Sequence, residues 1–480
     1  MTSTNQSYGF LIAGEWHQRG LPAEIRSPYD GASLAVVYRA SAADIDEAIG
    51  AAVRAFSVTR TMPLWQRSEI LERISRGIAA RREEFAQTIA AEAGKPIRTA
   101  RIEVDRAIFT FKVASEEARR IGGEIMALDW LPNNERRRAE IHRVPLGPIA
   151  GITPFNFPLN LVAHKVAPAL AAGCPIIIRP ASQTPLSALK LGEVVVASGW
   201  PAEGFAVVPS SVSDAAILVE DERIRKLTFT GSPLVGWGLK ARAGRKRVTL
   251  ELGGNAGVIV HHDADLSYAA ERITWGGFSY AGQSCISVQR VYLHESISER
   301  FLDDFLRRVA QLKVGNPLDE ATDVGPMISR SEAERTEAWI QAAVAAGAQL
   351  LIGGQRDGAL LQPTVLANVA PDLSVSCQEV FAPLVAVTTY RDPLEAIRAV
   401  GTSDFGLQAG LFTNDVRLIE RAFQEIEVGG LMVNDVSTFR IDHMPYGGVK
   451  QSGFGREGVR FAIEEMTEMK LLTWNHREGA

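Results

Sequence analysis

The sequence predicts an α/β protein with two parallel-sheet domains, and three observations carry that expectation. The chain has 480 residues, more than one compact core usually serves, so two or three domains are expected. From about residue 148 onward, short apolar runs alternate with stretches of helical length and pattern, the rhythm of βαβ units. A second alternating series follows Leu252, with the junction near Leu252–Asn255.

The elements follow in order. Past an extended lead, Ser41 and Asp44 resemble a capping box, and Ile45, Ile49, Val53 and Phe56 recur at helical spacing. A second periodic stretch covers 64–93 and stops at Gly94–Lys95–Pro96; a third covers 98–120 and ends at Gly122–Gly123. Strands are then expected at 148–153, 175–179, 205–208, 226–230 and 247–252, with helices at 161–172, 187–197 and 233–243. The second series places strands near 258–260, 290–294, 349–352 and 384–389, with helices such as 298–312 and 331–346 between them. Neither an internal sequence repeat nor a low-complexity linker is visible.

Composition narrows the function classes. Hydrophobic residues make up 46% and charged residues 22%, as in ordinary globular proteins. The net charge is 51 − 56 = −5, with no dominant basic block, so no nucleic-acid partner is expected. The run Arg136–Arg137–Arg138 is followed by Glu140 and reads as a solvated edge. Three cysteines far apart, Cys174, Cys285 and Cys377, argue against a disulfide framework and against a zinc site, and no metal is expected. The N-terminus lacks the pattern of a secretory signal. No apolar run approaches the ~20 residues of a membrane helix, so a cytoplasmic protein without membrane partners is expected.

Several residues could carry chemistry. Cys285 lies in Gly282–Gln283–Ser284–Cys285–Ile286, just before an expected strand. A free thiol, with a pKa of ~8.5, needs help to ionise, but it is the best nucleophile a protein carries. A buried structural cysteine is the alternative there; Cys174, among alanines and isoleucine, fits that description, and Cys377 fits either. Glu251 ends an apolar strand before Gly253–Gly254, where desolvation would raise its pKa towards that of a general base. A solvated strand end is the bland alternative. Asn156, between a strand and a helix, could donate to an oxyanion, or simply serve as a turn residue. Gly231, Ser232 and Gly236 lie at a strand-to-helix junction, a weak sign of a pyrophosphate site. The only Gly-x-Gly-x-x-Gly, at Gly453, Gly455 and Gly458, lacks a βαβ context and reads as a flexible surface turn.

Taken together, the motifs Pro154–Phe155–Asn156–Phe157–Pro158, Phe229–Thr230–Gly231–Ser232, Glu251–Leu252–Gly253–Gly254 and Gly282–Gln283–Ser284–Cys285 resemble the aldehyde dehydrogenase superfamily. Glu379–Val380–Phe381–Ala382–Pro383 and Pro445–Tyr446–Gly447–Gly448–Val449–Lys450 extend the resemblance over nearly the whole chain. It implies a Rossmann-like cofactor domain (1–122 and 142–251), a catalytic domain (252–462), and a small β oligomerisation arm (123–141 with 463–480), hence a homodimer or homotetramer. It also implies NAD or NADP as cofactor. Cys285 would attack the aldehyde, with Asn156 holding the oxyanion and Glu251 activating water against the thioester. Lys165 and Glu457 match positions proposed to move protons, although alone each would pass for a surface charge. Ile152, Thr153, Pro154 and Phe155 would line the cofactor, Glu379 would hold the nicotinamide ribose, and Phe381 would pack beside it.

Two departures from the family pattern matter. The common Lys-Pro-x-Glu is Arg179–Pro180–Ala181–Ser182 here; loss of the carboxylate at Ser182, with Arg179 nearby, points to acceptance of NADP alongside NAD. The run 434–443 resembles the branch of lactaldehyde, phosphonoacetaldehyde and non-phosphorylating glyceraldehyde-3-phosphate dehydrogenases, in which Arg440 and Arg106 align with anion-binding arginines. For Arg106 the alternative is a helical pair with Glu103. Ser284 and Phe157 replace residues common in phosphate binders, favouring a small hydroxy-aldehyde or anionic semialdehyde as substrate. A CoA-acylating relative remains as a rival, disfavoured by Glu251. A catalytically silent relative is another, disfavoured by the joint presence of Cys285, Glu251 and Asn156.

Overall fold

The computed structural model describes residues 6–476. Residues 1–5 and 477–480 lie outside the described residues, and with them the outermost ends of the expected first domain and of the C-terminal arm, and half of the N-terminal stretch read for a signal. Two large sheets dominate. The first has eight strands, in the spatial order 453–454, 247–251, 226–230, 149–152, 176–179, 205–207, 10–12 and 15–17. Its five central strands are parallel, and nearly all their residues are buried because helices cover both faces. The second has seven strands, in the order 349–352, 364–367, 384–390, 288–294, 256–260, 408–412 and 430–433. All its pairings are parallel except the outermost, between 349–352 and 364–367.

The expected strands and helices of both series are present, most within two residues of their expected bounds. Ser41 does cap the helix Ala42–Thr59, its hydroxyl accepting from the Asp44 N–H while the Asp44 carboxylate accepts from the Ser41 N–H. The stretch expected as one helix over 64–93 is two, Leu64–Ala80 and Arg82–Ala93, because Arg81 leaves helical geometry. The extended lead holds two antiparallel hairpins, 10–17 and 21–39.

A third sheet stands apart, formed by Gly123–Ala127, Arg137–Pro145 and Thr467–Asn475. The break expected after residue 141 falls inside its middle strand, and that expected at 463 falls inside the helix Val459–Glu465. Arg138 pairs with Glu140 on the middle strand of this sheet, so the expected solvated edge is a partly exposed face rather than an edge. Among the described residues, no helix is long and apolar enough to cross a membrane. Cys174 is buried, Cys285 half-buried and Cys377 exposed, all three unpaired.

Candidate active site

Strand register gathers the first group of site residues. In the first sheet Ile152 pairs with Phe229, and Thr230 with Glu251, so all end at the C-terminal edge of adjacent parallel strands. There the strand order reverses between 149–152 and 226–230, the position at which open α/β sheets bind ligands. Cys285 comes from the other sheet, just ahead of the strand Val288–His294. The turn before it is forced: Tyr280, Ala281 and Gly282 all have positive φ, costly for the two residues that carry a Cβ. Gly254 lets the two segments meet, since a Cβ there would overlap the Cys285 carbonyl.

One cavity of about 320 Å³ is lined by Cys285, Glu251, Asn156, Phe157, Ser284, Arg106, Arg440, Gly231, Ser232, Glu379 and Phe381, among others. The Cys285 Sγ lies 3.0 Å from the Tyr446 hydroxyl. Burial pushes the thiol up to about 12, only partly offset by Tyr446 and Arg440. Asn156 donates from Nδ2 to the Gln283 carbonyl at 3.0 Å, which leaves one amide hydrogen free. Glu251 is buried with neither carboxylate oxygen hydrogen-bonded. Burial, then the neighbouring Glu457, raises it well above the usual carboxylate range.

Behind Glu251 lies a buried ionic network. Lys165 Nζ donates to Glu457 Oε1 at 3.0 Å and to the hydroxyls of Thr230 at 2.7 Å and Thr228 at 3.2 Å. Arg440 reaches Glu457 Oε2 at 3.3 Å and stacks 3.6 Å over the Tyr446 ring. The two carboxylates are thereby driven apart: the cations, Lys165 foremost, hold Glu457 far below its usual range against the burial that would raise it, while Glu251 stays high. Lys165 and Glu457 are thus interior groups, not the surface charges their local sequence suggests.

Arg106 does not pair with Glu103. It makes a bidentate contact with Asp442, at 2.7 and 3.0 Å, and Asp442 also accepts from Asn160 and meets His164 Nε2 at 2.7 Å. Glu103 instead pairs with the buried Lys95 and caps the helix Asn160–Ala172 through the N–H groups of Leu159 and Asn160. Lys95 sits 3.7 Å over the Phe157 ring. The sequence reading missed Asp442, His164, Lys95 and the contact of Tyr446 with Cys285. These partners lie far apart along the chain, and no local pattern marks them.

The remaining cofactor candidates divide into two groups. The helix Pro233–Arg242 begins at Ser232 with no side-chain cap, so its first N–H groups stay open to an anion. Gly231 is obligatory, because a Cβ would lie 2.5 Å from the Phe229 ring. Glu379 accepts from the Gly254 N–H at 3.0 Å, and burial pushes it up to about 7. Phe381 meets Phe155 edge-on, Pro154 joins the lining, and the buried Thr153 hydroxyl has no partner. An open helix start, a cleft walled by backbone and aromatic rings, and a buried carboxylate suit a dinucleotide. Gly236 is different: it packs against Leu252 and serves helix-to-strand contact. Arg179 and Ser182 lie outside this cavity, the arginine donating to the Ser182 hydroxyl at 3.4 Å and the Ser210 carbonyl at 3.1 Å. Arg179 is the register partner of Ile152, two residues before Pro154 of the lining.

The expected surface turn at Gly453–Gly458 needs correcting. Gly453 is buried and pairs antiparallel with Glu251, where a Cβ would overlap the Leu250 carbonyl. The glycines allow this segment to lie directly against the strand that carries Glu251.

Comparison with known proteins agrees with this geometry. The model of the aldehyde dehydrogenase family matches residues 16–472. A 3-sulfolactaldehyde dehydrogenase of Priestia aryabhattai is 46% identical over 478 residues, covering 99% of this chain and 100% of the relative. Aldehyde dehydrogenase 21 from Physcomitrella patens, solved in complex with the reaction product succinate, superposes with a TM-score of 0.97 at 43% identity, covering 99% and 100% of the two chains. Glyceraldehyde-3-phosphate dehydrogenase GapN from Methanocaldococcus jannaschii, solved with NADP, gives 0.92 at 38% identity, covering 96% and 100%. The chain therefore belongs to the aldehyde dehydrogenase family and is an NAD(P)-dependent enzyme of aldehyde oxidation.

Proposed function

We propose that Cys285 is the nucleophile, Asn156 the oxyanion donor and Glu251 the general base of this oxidation. The observation that carries this reading is the convergence of all three in one cavity with the open helix start at Ser232 and the Glu379 carboxylate. Cys285 Sγ bonds to the aldehyde carbon as its proton passes to solvent water, and the resulting oxyanion accepts from the free Asn156 amide hydrogen and the Cys285 N–H. A nicotinamide held by Gly231, Ser232, Glu379 and Phe381 would supply the hydride acceptor, and Cys285 would then carry the acyl group as a thioester. Glu251 then takes a proton from water as the oxygen attacks the thioester carbon, releasing the acid and the thiol. Glu457 keeps its charge through Lys165 and Arg440, and Lys165 supplies a route for protons behind Glu251.

Gly231, Ser232, Glu379 and Phe381, with the segment Ile152–Phe155, hold the dinucleotide. Arg179 and Ser182 favour acceptance of NADP, an assignment in keeping with the NADP bound by the GapN relative. NADP is expected to support turnover at least as well as NAD. A preference for NAD above about a hundredfold in kcat/KM, or ~2.7 kcal/mol, would overturn that assignment.

The substrate proposed is a small aldehyde with a distal anion, hydroxylated like 3-sulfolactaldehyde or carboxylated like succinate semialdehyde. Arg440 Nε is buried without a partner, and Arg106 lines the same cavity. An aldehyde panel run with each cofactor tests this, including 3-sulfolactaldehyde, lactaldehyde, glycolaldehyde, succinate semialdehyde and glyceraldehyde-3-phosphate. Arg440→Lys should raise KM for anionic aldehydes by about tenfold or more relative to neutral ones. Unchanged KM for every anionic member would remove the anion site.

The domain division proposed follows the sheets, with the arm taking the strand Arg137–Pro145 whole. Exposed Ile125, Met469 and Leu471 on that arm favour a homodimer or homotetramer. Three unpaired cysteines suit a reducing, cytoplasmic setting.

A further inference from the structure

The second sheet shares one feature with the first, a reversal of strand order at its middle. On one side of 256–260 lie the parallel strands 288–294, 384–390 and 364–367, and the chain then returns to place 408–412 and 430–433 on its other side. The order reverses between 256–260 and 408–412, as it does between 149–152 and 226–230 in the first sheet. Ligands of open α/β sheets bind at the C-terminal ends of the strands beside such a reversal. In the first sheet that crevice faces Cys285 and Glu251. Cys285 and Asn255 lie at the N-terminal end of the second sheet, so the crevice of the second sheet opens at the opposite edge, away from the site already described.

The residues at that edge are His261, His262 and Asp263, directly after the strand Ala256–Val260, and Thr413 and Asn414, directly after Gln408–Phe412. Ligand atoms of His261, His262 and Asp263 all lie within 4.8 Å of one another. The His261 and His262 rings are 4.2 Å apart, and His294 closes over both at 5.4 and 5.3 Å. Three of the eight histidines of the chain thus meet at one point. They come from the ends of two neighbouring strands.

We propose that His261, His262 and Asp263 form a binding site for a divalent transition metal of the zinc class. Two imidazole nitrogens and one carboxylate oxygen make the donor set such ions take. The surroundings fix both kinds of donor. The Tyr390 hydroxyl donates to the Val260 carbonyl at 3.3 Å and so accepts from His261 Nδ1 at 3.0 Å, which leaves Nε2 as the bare ligand nitrogen. Asp263 accepts from the Thr413 hydroxyl at 2.8 Å and the Asn414 N–H at 2.9 Å, one on each oxygen, and each oxygen keeps a lone pair. His294 acts as a wall, because its Nδ1 accepts from Ser296. The scarcity of cysteine excludes a thiolate site and leaves an imidazole site open. The ion ties the ends of 256–260 and 408–412 together and takes no part in aldehyde chemistry, since a strand of five residues spans roughly 17 Å.

The test uses full-length, untagged, chelator-treated protein titrated with Zn2+ by calorimetry, and with Co2+ by absorption, which reports ligand type. One equivalent should bind with micromolar affinity and raise Tm, with the nitrogen–oxygen spectrum of Co2+ and no thiolate charge-transfer band. His262→Gln and Asp263→Asn, both at exposed positions, should each weaken binding by about tenfold or more and leave turnover unchanged. Cys285→Ala should bind as the unaltered protein does. Binding that survives His262→Gln, that vanishes with Cys285→Ala, or that is absent from the unaltered protein would each overturn the site.

Discussion

Replacing Cys285 with alanine is expected to abolish aldehyde oxidation, lowering kcat by at least ~10⁴-fold, the scale on which loss of a covalent nucleophile registers. Binding of NAD or NADP, read by fluorescence titration, should be nearly unchanged. The groups proposed to hold the dinucleotide, Gly231, Ser232, Glu379 and Phe381, do not depend on the thiol for their positions. Glu379 is fixed by the Gly254 N–H and Phe381 by Phe155. The thiol's hydrogen-bond partner is the Tyr446 hydroxyl, so the substitution opens little space and leaves no stranded charge. Turnover well above background in Cys285→Ala would move the nucleophile elsewhere. Cys174 is a poor substitute, since it is fully buried in the core, donates to the Met466 carbonyl and does not line the cavity. Cys377 is exposed and does not line the cavity.

Local chemistry in the sequence left Cys285 balanced between nucleophile and buried thiol. The order of motifs around it carried the assignment, and the fold explains why that order is informative. Asn156, Thr230, Glu251 and Cys285 sit at strand ends that only a double α/β arrangement brings together. The five central strands of the first sheet were legible as short apolar runs between glycine, proline or helical stretches, whereas 408–412, buried in the middle of the second sheet, was not expected. The short strands 10–12, 15–17 and 364–367 were not legible, since three or four residues carry too little periodicity to register. The burial of Lys165 and Glu457 was illegible for a different reason: each charge is satisfied by the other, across 292 residues. Asp442, which joins Arg106, Asn160 and His164, was hidden in the same way. The glycine run near the C-terminus looked like a loop because glycine marks close approach as well as flexibility. There, close approach is its use.

Replacing Glu251 with glutamine is expected to separate the two halves of the reaction. Acylation and hydride transfer should still give a burst approaching one equivalent of NAD(P)H per active site, followed by turnover slowed about 10²–10⁴-fold, the usual contribution of a general base. The reason lies in the environment of the carboxyl group. Both its oxygens are buried and unpaired, so glutamine replaces it without breaking a hydrogen bond, and the loss is one of basicity. The pH dependence follows with a definite sign. Burial and the negative Glu457 raise the Glu251 ionisation well above the usual carboxylate range, and only the deprotonated form accepts a proton from water. Hydrolysis of the acyl-enzyme should therefore fall as pH drops through that raised value, well above pH 4.5. The glutamine variant should lose this limb of the profile while keeping its burst. Glu457→Gln should lower the same limb towards the usual range, because Glu251 would no longer face a fixed negative neighbour. A burst that disappears in Glu251→Gln would place this residue before the thioester, as the base that deprotonates Cys285. An unchanged steady-state rate would remove it from the chemistry altogether.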